Sequence, residues 1–213
     1  MVFSSILFLF YFLPLVLGGY YLLHRFAPRQ AKHAFLTLVS YIFYGWANPL
    51  FFVLMLFSTL VDYFCGLWMV GALGRDRRRG EIPELTRGGT RTRHQKIALF
   101  ISICTNLSLL GFFKYFNFGI DSWNAMMATF GTETASVEHF LRITLPLGIS
   151  FYTFQSMSYS IDIYRGDARA IRNWTDFACY VSMFPQLVAG PIIRFQEVAD
   201  QIYSRTHTFQ KFA

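Results

Sequence analysis

The sequence predicts an all-α protein: a polytopic bundle of about six membrane helices, one of them broken by proline and glycine and able to re-enter. Three observations carry this. Hydrophobic residues make up 54% of the 213 and charged ones only 15%, where a soluble domain carries about a quarter. The charges are gathered into a few short stretches. Between them run apolar segments of the length that crosses about 30 Å of hydrocarbon at helical rise.

Reading from the N-terminus, the segments fall at 3–23, 34–47, 50–72, 97–118, 141–163 and 174–193. No Lys or Arg precedes the first, and its apolar run outlasts a signal-peptide core, so it reads as an uncleaved span. The second is short. Asn48-Pro49 separates it from the third with almost no loop; the pair reads either as two helices or as one broken helix plus a full one. Asp62 lies about 18 Å into the third segment by helical rise. Thr59, Asp62, Tyr63 and Gly66 share one face there. A carboxylate at that depth is either an anchor to a neighbouring helix or part of an aqueous path. Lys114, near the far end of the fourth segment, reads as snorkelling outward.

The fifth segment is the most polar in pattern. On a helical wheel Tyr152, Gln155, Ser156, Tyr159 and Asp162 gather on one side, with Phe154, Met157 and Ile161 opposite. Interhelical polar contacts and a water-filled chamber are both consistent with that stripe. In the sixth segment Pro185-Gln186 and Gly190-Pro191 free backbone groups, which belong either in a cavity or at a close helix contact. Asp62, Tyr152, Gln155, Tyr159, Asp162, Gln186 and Arg194 are therefore the candidate chamber-lining residues.

Loop charge orients the layout. Most of the 19 basic residues fall in connectors one (Arg25, Arg29, Lys32), three (Arg75, Arg77, Arg78, Arg79, Arg87, Arg91, Arg93, Lys96) and five (Arg165, Arg169, Arg172). The connector from Tyr115 to Phe140 has none. The positive-inside rule then puts those three connectors in the cytoplasm and the N-terminus outside. The basic loop 74–96 reads as a solvated cytoplasmic segment, its 74–93 part mobile, with a seat on anionic headgroups as the alternative. Strict alternation puts Arg194, Arg205 and Lys211 outside unless the sixth segment re-enters.

Other classes are disfavoured. The net charge of +7 sits between apolar segments without a nucleic-acid motif, so no nucleic-acid partner is expected. Cys65, Cys104 and Cys179 are widely spaced in apolar stretches, a pattern of packing rather than of zinc or disulfides. P-loop, zincin and nucleophile-elbow motifs do not occur. His24, His33, His94, His139 and His207 fall in connectors, at segment edges or in the tail, where a histidine is usually solvated. The segment spacing shows no internal repeat.

Two strings add a resemblance. Leu145-Pro-Leu-Gly-Ile-Ser-Phe-Tyr-Thr-Phe-Gln-Ser-Met-Ser-Tyr-Ser-Ile-Asp-Ile-Tyr-Arg-Gly166 and Phe184-Pro-Gln-Leu-Val-Ala-Gly-Pro-Ile-Ile-Arg194 resemble hallmarks of bacterial membrane-bound O-acyltransferases. Met1-Val-Phe-Ser-Ser5, Ser40-Tyr-Ile-Phe-Tyr-Gly-Trp46, Asp62-Tyr63 and Phe113-Lys-Tyr115 look like the same family, most of all its alginate O-acetylase branch; the D-alanyl transfer proteins of teichoic acid synthesis are more distant. The resemblance covers nearly all of 1–213, read as the N-terminal part of a single acyltransferase domain. It implies a multi-pass protein of the bacterial inner membrane that passes an acetyl group from the cytoplasmic side toward an exopolysaccharide such as alginate. Acetyl-coenzyme A is the implied donor, with no bound cofactor or metal. The implied partners are the lipid bilayer and periplasmic accessory acetyltransferases. The family's presumed catalytic histidine lies in a Trp/Arg-rich motif that nothing before Ala213 matches. No catalytic residue is therefore assigned, and the chain alone is expected to be inactive. A transporter or export subunit of a polysaccharide system is the alternative, and a scaffolding partner without chemistry a third reading.

Overall fold

The computed structural model describes residues 5–47, 49–73, 82–130, 142–146, 148–189 and 193–203. Arg75, Arg77, Arg78, Arg79, His139, Gly190, Pro191, Arg205, His207 and Lys211 lie outside them. So do residues 131–140 of the connector that follows the fourth segment. Every regular element among the described residues is a helix, with no strand among them.

The first segment is continuous but not uniform. A π-helical turn, Phe8–Phe12, runs directly into α1, Leu13–Phe26. Leu13 donates its N–H five residues back, to Phe8 O. Pro14 follows at once and has no N–H to give, which leaves the turn before it free to widen. Phe8 and Phe12 then meet Phe43 and Phe184 at ring distances of 5.6–6.0 Å, tying the N-terminal segment to two later helices.

Helix α2, Arg29–Ala47, begins five residues before the predicted second segment. Its first turn holds Arg29, Lys32 and His33, which lower hydropathy without opposing helix. Helix α3, Pro49–Met69, follows directly, so the Asn48-Pro49 junction joins two separate helices. Helix α4, Arg93–Thr129, is the largest departure from expectation. Its 37 residues reach about 56 Å at helical rise, far past the predicted end at 118. Asn117, Asp121, Ser122 and Asn124 end the apolar run, but none of them forbids helix, so hydropathy stops before the backbone does. Lys114 is exposed, 5.6 Å above the Tyr115 ring.

Helix α5, Ile149–Arg165, starts later than the predicted 141 because Pro146 and Gly148 precede it. Gly148 has φ +76°, a left-handed position that glycine adopts without penalty, and a β-carbon there would fall 2.8 Å from Leu187 O. The sixth segment is two helices: α6, Trp174–Ser182, and α7, Phe184–Ala189. The break falls at Met183, whose ψ of 106° is not helical, one residue ahead of Phe184-Pro185. The Gly190-Pro191 break predicted from sequence lies outside the described residues. Helix α8, Phe195–Tyr203, then packs back on α5.

Helix α3 is the centre of the bundle, packed against α2, α4, α5 and α6. The wheel prediction for α5 holds for its polar side, where Tyr152, Gln155, Ser156, Tyr159 and Asp162 are all buried. It fails for Met157, which is buried too, while Phe154 is exposed. A helix wrapped by α3, α4, α6, α7 and α8 has little face left for lipid. Among the described residues two helices are long and apolar enough to cross a membrane, α3 and α4.

Contact between α3 and α5 depends on a glycine. A β-carbon at Gly66 would fall 2.7 Å from the Tyr159 ring. That ring is held between Phe177 and Phe195, at 4.3 and 4.8 Å, and its hydroxyl accepts Ile171 N–H. Gly66→Ala is therefore expected to cost about 1–3 kcal/mol through overpacking, read as a lower unfolding midpoint in detergent. An unchanged midpoint would show that Tyr159 can move aside.

The three basic connectors gather at one end of the bundle. Arg87 pairs with Asp167 at 2.7 Å, Arg169 pairs with Glu84, and Arg91 Nε donates to Tyr164 O at 2.6 Å. Tyr63 donates to Arg172 O, and Arg29 from the first connector's side pairs with Asp176 at the start of α6. Most of residues 82–92 are exposed, as a solvated loop would be, yet the segment is tethered to the bundle. Its backbone lies against Gly166, and its arginines are drawn to carboxylates and carbonyls around the end of α5.

Candidate functional site

Two polar features stand out of the apolar bundle. The first is a buried hub around Asp62 in α3, which is fully inaccessible. Ser102 Oγ donates to Asp62 Oδ1 at 2.5 Å, and Ser156 donates to Oδ2. Asn106 Nδ2 lies 2.9 and 2.7 Å from the two oxygens. Ser58 donates to Asn106 Oδ1, and Ser160 Oγ stands 2.8 Å from Ser102. One carboxylate thus organises hydroxyls and an amide from α3, α4 and α5. Helix spacing arranges this: Ser102 and Asn106 are four apart, as are Ser156 and Ser160, so each pair shares a face. Donors saturate both oxygens, which is how a buried polar group becomes stabilising.

The second feature is a cavity of about 290 Å³ at the end where the basic connectors gather. Helices α1, α2, α6, α7 and α8 wall it. Arg29, Lys32 and His33 line it from the first turn of α2, with Asp176 and Tyr180 from α6, Gln186 from α7 and Gln201 from α8. Leu36, Met183, Val198 and Ile202 make its apolar side. Asp176, with no side-chain exposure, is the fixed point. Arg29 Nη2 donates to it at 3.2 Å, Asn173 Nδ2 at 3.3 Å, and His33 Nδ1 stands 2.6 Å from its Oδ1. The carboxylate orients both the guanidinium and the imidazole. Lys32, by contrast, reaches His24 at 3.1 Å.

The break in the sixth segment connects cavity to core. Phe184 N–H bonds Ser40 Oγ rather than continuing α6, so Tyr180 O is released. Gln155 Nε2 takes it at 2.6 Å and lies 3.0 Å from Gln186 Oε1. A chain of polar groups therefore runs from the cavity through Gln186 and Gln155 into α5.

The seven residues expected from sequence separate accordingly. Gln186 lines the cavity and Gln155 bonds to it. Asp62 is the hub, one helix layer away. Tyr159 is packed among rings, and Asp162 Oδ2 accepts Gln196 N–H at 3.1 Å in the first turn of α8. Arg194 is exposed near Asp162. Tyr152 is buried beside Tyr44, and neither hydroxyl finds a hydrogen-bond partner among the described residues.

Sequence reasoning missed Arg29, His33 and Asp176. His33 belongs to α2, its side chain only 16% exposed, so solvated is the wrong description for it. A signal was present in the 29/33 spacing on one face and in Asp176, an acid at the head of an apolar run.

Fold and site together define an all-helical bundle, two of whose described helices are long and apolar enough to cross a membrane, with a saturated polar hub and a charged cavity at one end. No family model and no solved structure matches the chain. Curated relatives do. All 213 residues align at 45% identity with the "probable alginate O-acetylase" of Azotobacter vinelandii, covering 38% of that protein. The like-named protein of Pseudomonas aeruginosa is 43% identical, with 36% of it covered. The peptidoglycan O-acetyltransferase of Helicobacter pylori is 26% identical, with 40% of it covered. The resemblance to the alginate O-acetylase branch thus holds along the whole chain, which spans a little over a third of those relatives' length.

Proposed function

We propose that the chain is the N-terminal portion of a membrane-bound O-acyltransferase that passes an acetyl group across the bacterial inner membrane for O-acetylation of an exopolysaccharide. The observation that carries this is full-length similarity at 41–45% identity to alginate O-acetylases. It favours acyl transfer over the export-subunit alternative. Alginate is the acceptor we infer, acetyl-coenzyme A the donor, and periplasmic accessory acetyltransferases the partners that complete transfer. No residue of 1–213 is assigned as the one that handles the acetyl group, and the chemistry is placed in the parent protein.

In this reading six segments cross or enter the bilayer, with the three basic connectors in the cytoplasm and the N-terminus outside. The gathering of those connectors at one end supports the orientation. The Gln186–Gln155 chain and the buried α5 stripe are then the flank of the acetyl path, with Tyr152, Tyr159, Asp162, Arg194 and the Asp62 hub holding its walls. Deleting the parent gene should abolish O-acetyl groups on the secreted polysaccharide, and complementation should restore them; normal acetylation in the deletion strain would refute the reading. In the full-length protein, a cysteine at Arg87 should label only in inside-out vesicles and one at Asp121 only in right-side-out vesicles. Labelling of both from one side would overturn the orientation.

A further inference from the structure

Among the described residues five tyrosines are buried: Tyr44, Tyr63, Tyr152, Tyr159 and Tyr180. A phenol hydroxyl withdrawn from water is costly unless another group bonds it. Three of the five meet that condition. Tyr63 donates to Arg172 O at 2.6 Å, Tyr159 Oη accepts Ile171 N–H, and Tyr180 Oη stands 3.3 Å from both Ile193 O and Ser158 Oγ. The hydroxyls of Tyr44 and Tyr152 have no hydrogen-bond partner among the described residues, although these two residues are only 5% and 2% exposed. A buried threonine turns back to a carbonyl of its own helix, as Thr37 and Thr59 do. The ring carries a tyrosine hydroxyl out of that reach, so its partner must come from elsewhere.

The two unpaired hydroxyls are neighbours, and Gly148 lies beside both residues. A β-carbon there would stand 3.4 Å from Tyr44 Oη, and Gly148 O accepts the Tyr152 N–H at 3.1 Å, one turn along α5 on the same side. Gly148 is partly exposed, and its missing side chain keeps the space in front of Tyr44 Oη clear. The surroundings are apolar: Phe43 packs edge-on to the Tyr44 ring at 5.8 Å, and Ile149 and Leu187 are buried. The ion pairs described above lie at the other end, since helical rise puts Tyr44 about 22 Å from Arg29 and Tyr152 about 20 Å from Arg165. An anion drawn in here would lack a counter-charge. A neutral acceptor suits the place, because donors in an apolar setting hold a carbonyl oxygen more strongly than they do in water. The Gln186–Gln155 chain leads to it: Gln155 is one turn from Tyr152, and Gln186 precedes Leu187, whose carbonyl lies against Gly148.

We propose that Tyr44 and Tyr152 together seat the carbonyl oxygen of an acetyl ester or thioester, at the end of the polar chain opposite the basic connectors. The assignment rests on the acyl-transfer reading and adds the place where the acyl group is held.

Tyr44→Phe and Tyr152→Phe each delete one oxygen and keep the packing. In the full-length protein in nanodiscs, each should lower acetyl transfer from acetyl-coenzyme A about tenfold, and the double variant about a hundredfold. Unfolding midpoints in detergent should stay level or rise, since a buried unpaired hydroxyl is removed. With carbonyl-labelled S-ethyl thioacetate as the probe, isotope-edited infrared spectra should show the wild-type protein moving the carbonyl band to lower wavenumber. That shift should vanish in the double variant. A midpoint that falls, with transfer tracking the folded fraction, would show the hydroxyls bonded within the full-length protein and overturn the proposal. Undiminished transfer by the double variant would overturn it as well. Transfer by the wild type without a tyrosine-dependent band sinks the seat and keeps the acyl-transfer reading. A tyrosine-dependent band in a protein that transfers nothing keeps the seat and sinks that reading.

Discussion

Asp62→Ala is expected to destabilise the protein by about 3–5 kcal/mol, the largest effect of any single change in the bundle. The variant strips the acceptor from Ser102, Asn106 and Ser156 at once. Those groups come from two helices, and the site has no exposure through which water could replace the carboxylate. Asp62→Asn should cost less, about 1–2 kcal/mol, because one amide oxygen still accepts from Asn106 and the serine hydroxyls can rotate. Denaturant unfolding of the full-length protein in detergent reads both. If Asp62→Ala and Asp62→Asn lose the same small amount, the hub is not what locks α3 to α4 and α5. Acetyl transfer measured in the Asp62→Asn variant separates the two roles read from the sequence: an anchor predicts activity that tracks the folded fraction, and a place on the acetyl path predicts loss beyond it.

The second large effect is expected at Gly166, which ends α5 with φ +80°. A side chain there meets two obstacles. The left-handed conformation costs a non-glycine residue about 1–2 kcal/mol. The new β-carbon would also press into Leu85 O, with Arg87 N at 2.9 Å and Thr86 C at 3.0 Å. Backbone cannot swing away as a side chain tip does, so Gly166→Ala should detach 82–92 from the end of α5. That releases the Arg87–Asp167 and Arg169–Glu84 pairs and the Arg91 bond to Tyr164 O. These pairs are largely exposed and individually weak, so the glycine contact, not the charges, fixes the strap. The expected readout is a sharp gain in protease cleavage within 82–92, with the Asp62 hub intact. Cleavage no faster than wild type would show that the strap is held by its ion pairs after all.

The helical class, the polar face of α5 and the common end of the basic connectors were legible, because each depends on spacing along one helix or on charge along the chain. Helix ends were less legible. The extension of α4 to Thr129 follows from helix propensity, which persists after hydropathy falls. The break at Met183 falls where Pro185 marks it in the sequence, whereas Gly190-Pro191 lies outside the described residues. The cavity was not legible, because Arg29 and Asp176 are 147 positions apart and each, alone, looks like an ordinary charge at a segment edge.

Sequence alone therefore determined the kind of solvent this chain is built for and which side groups must turn inward. Periodicity and transfer cost act on each segment separately, and both are readable one residue at a time. Tertiary structure alone decided which inward groups meet: Asp62 with Ser102, Asn106 and Ser156, and Asp176 with Arg29 and His33. Those pairings come from helix packing, where the contact that satisfies a buried charge is supplied by a different part of the chain.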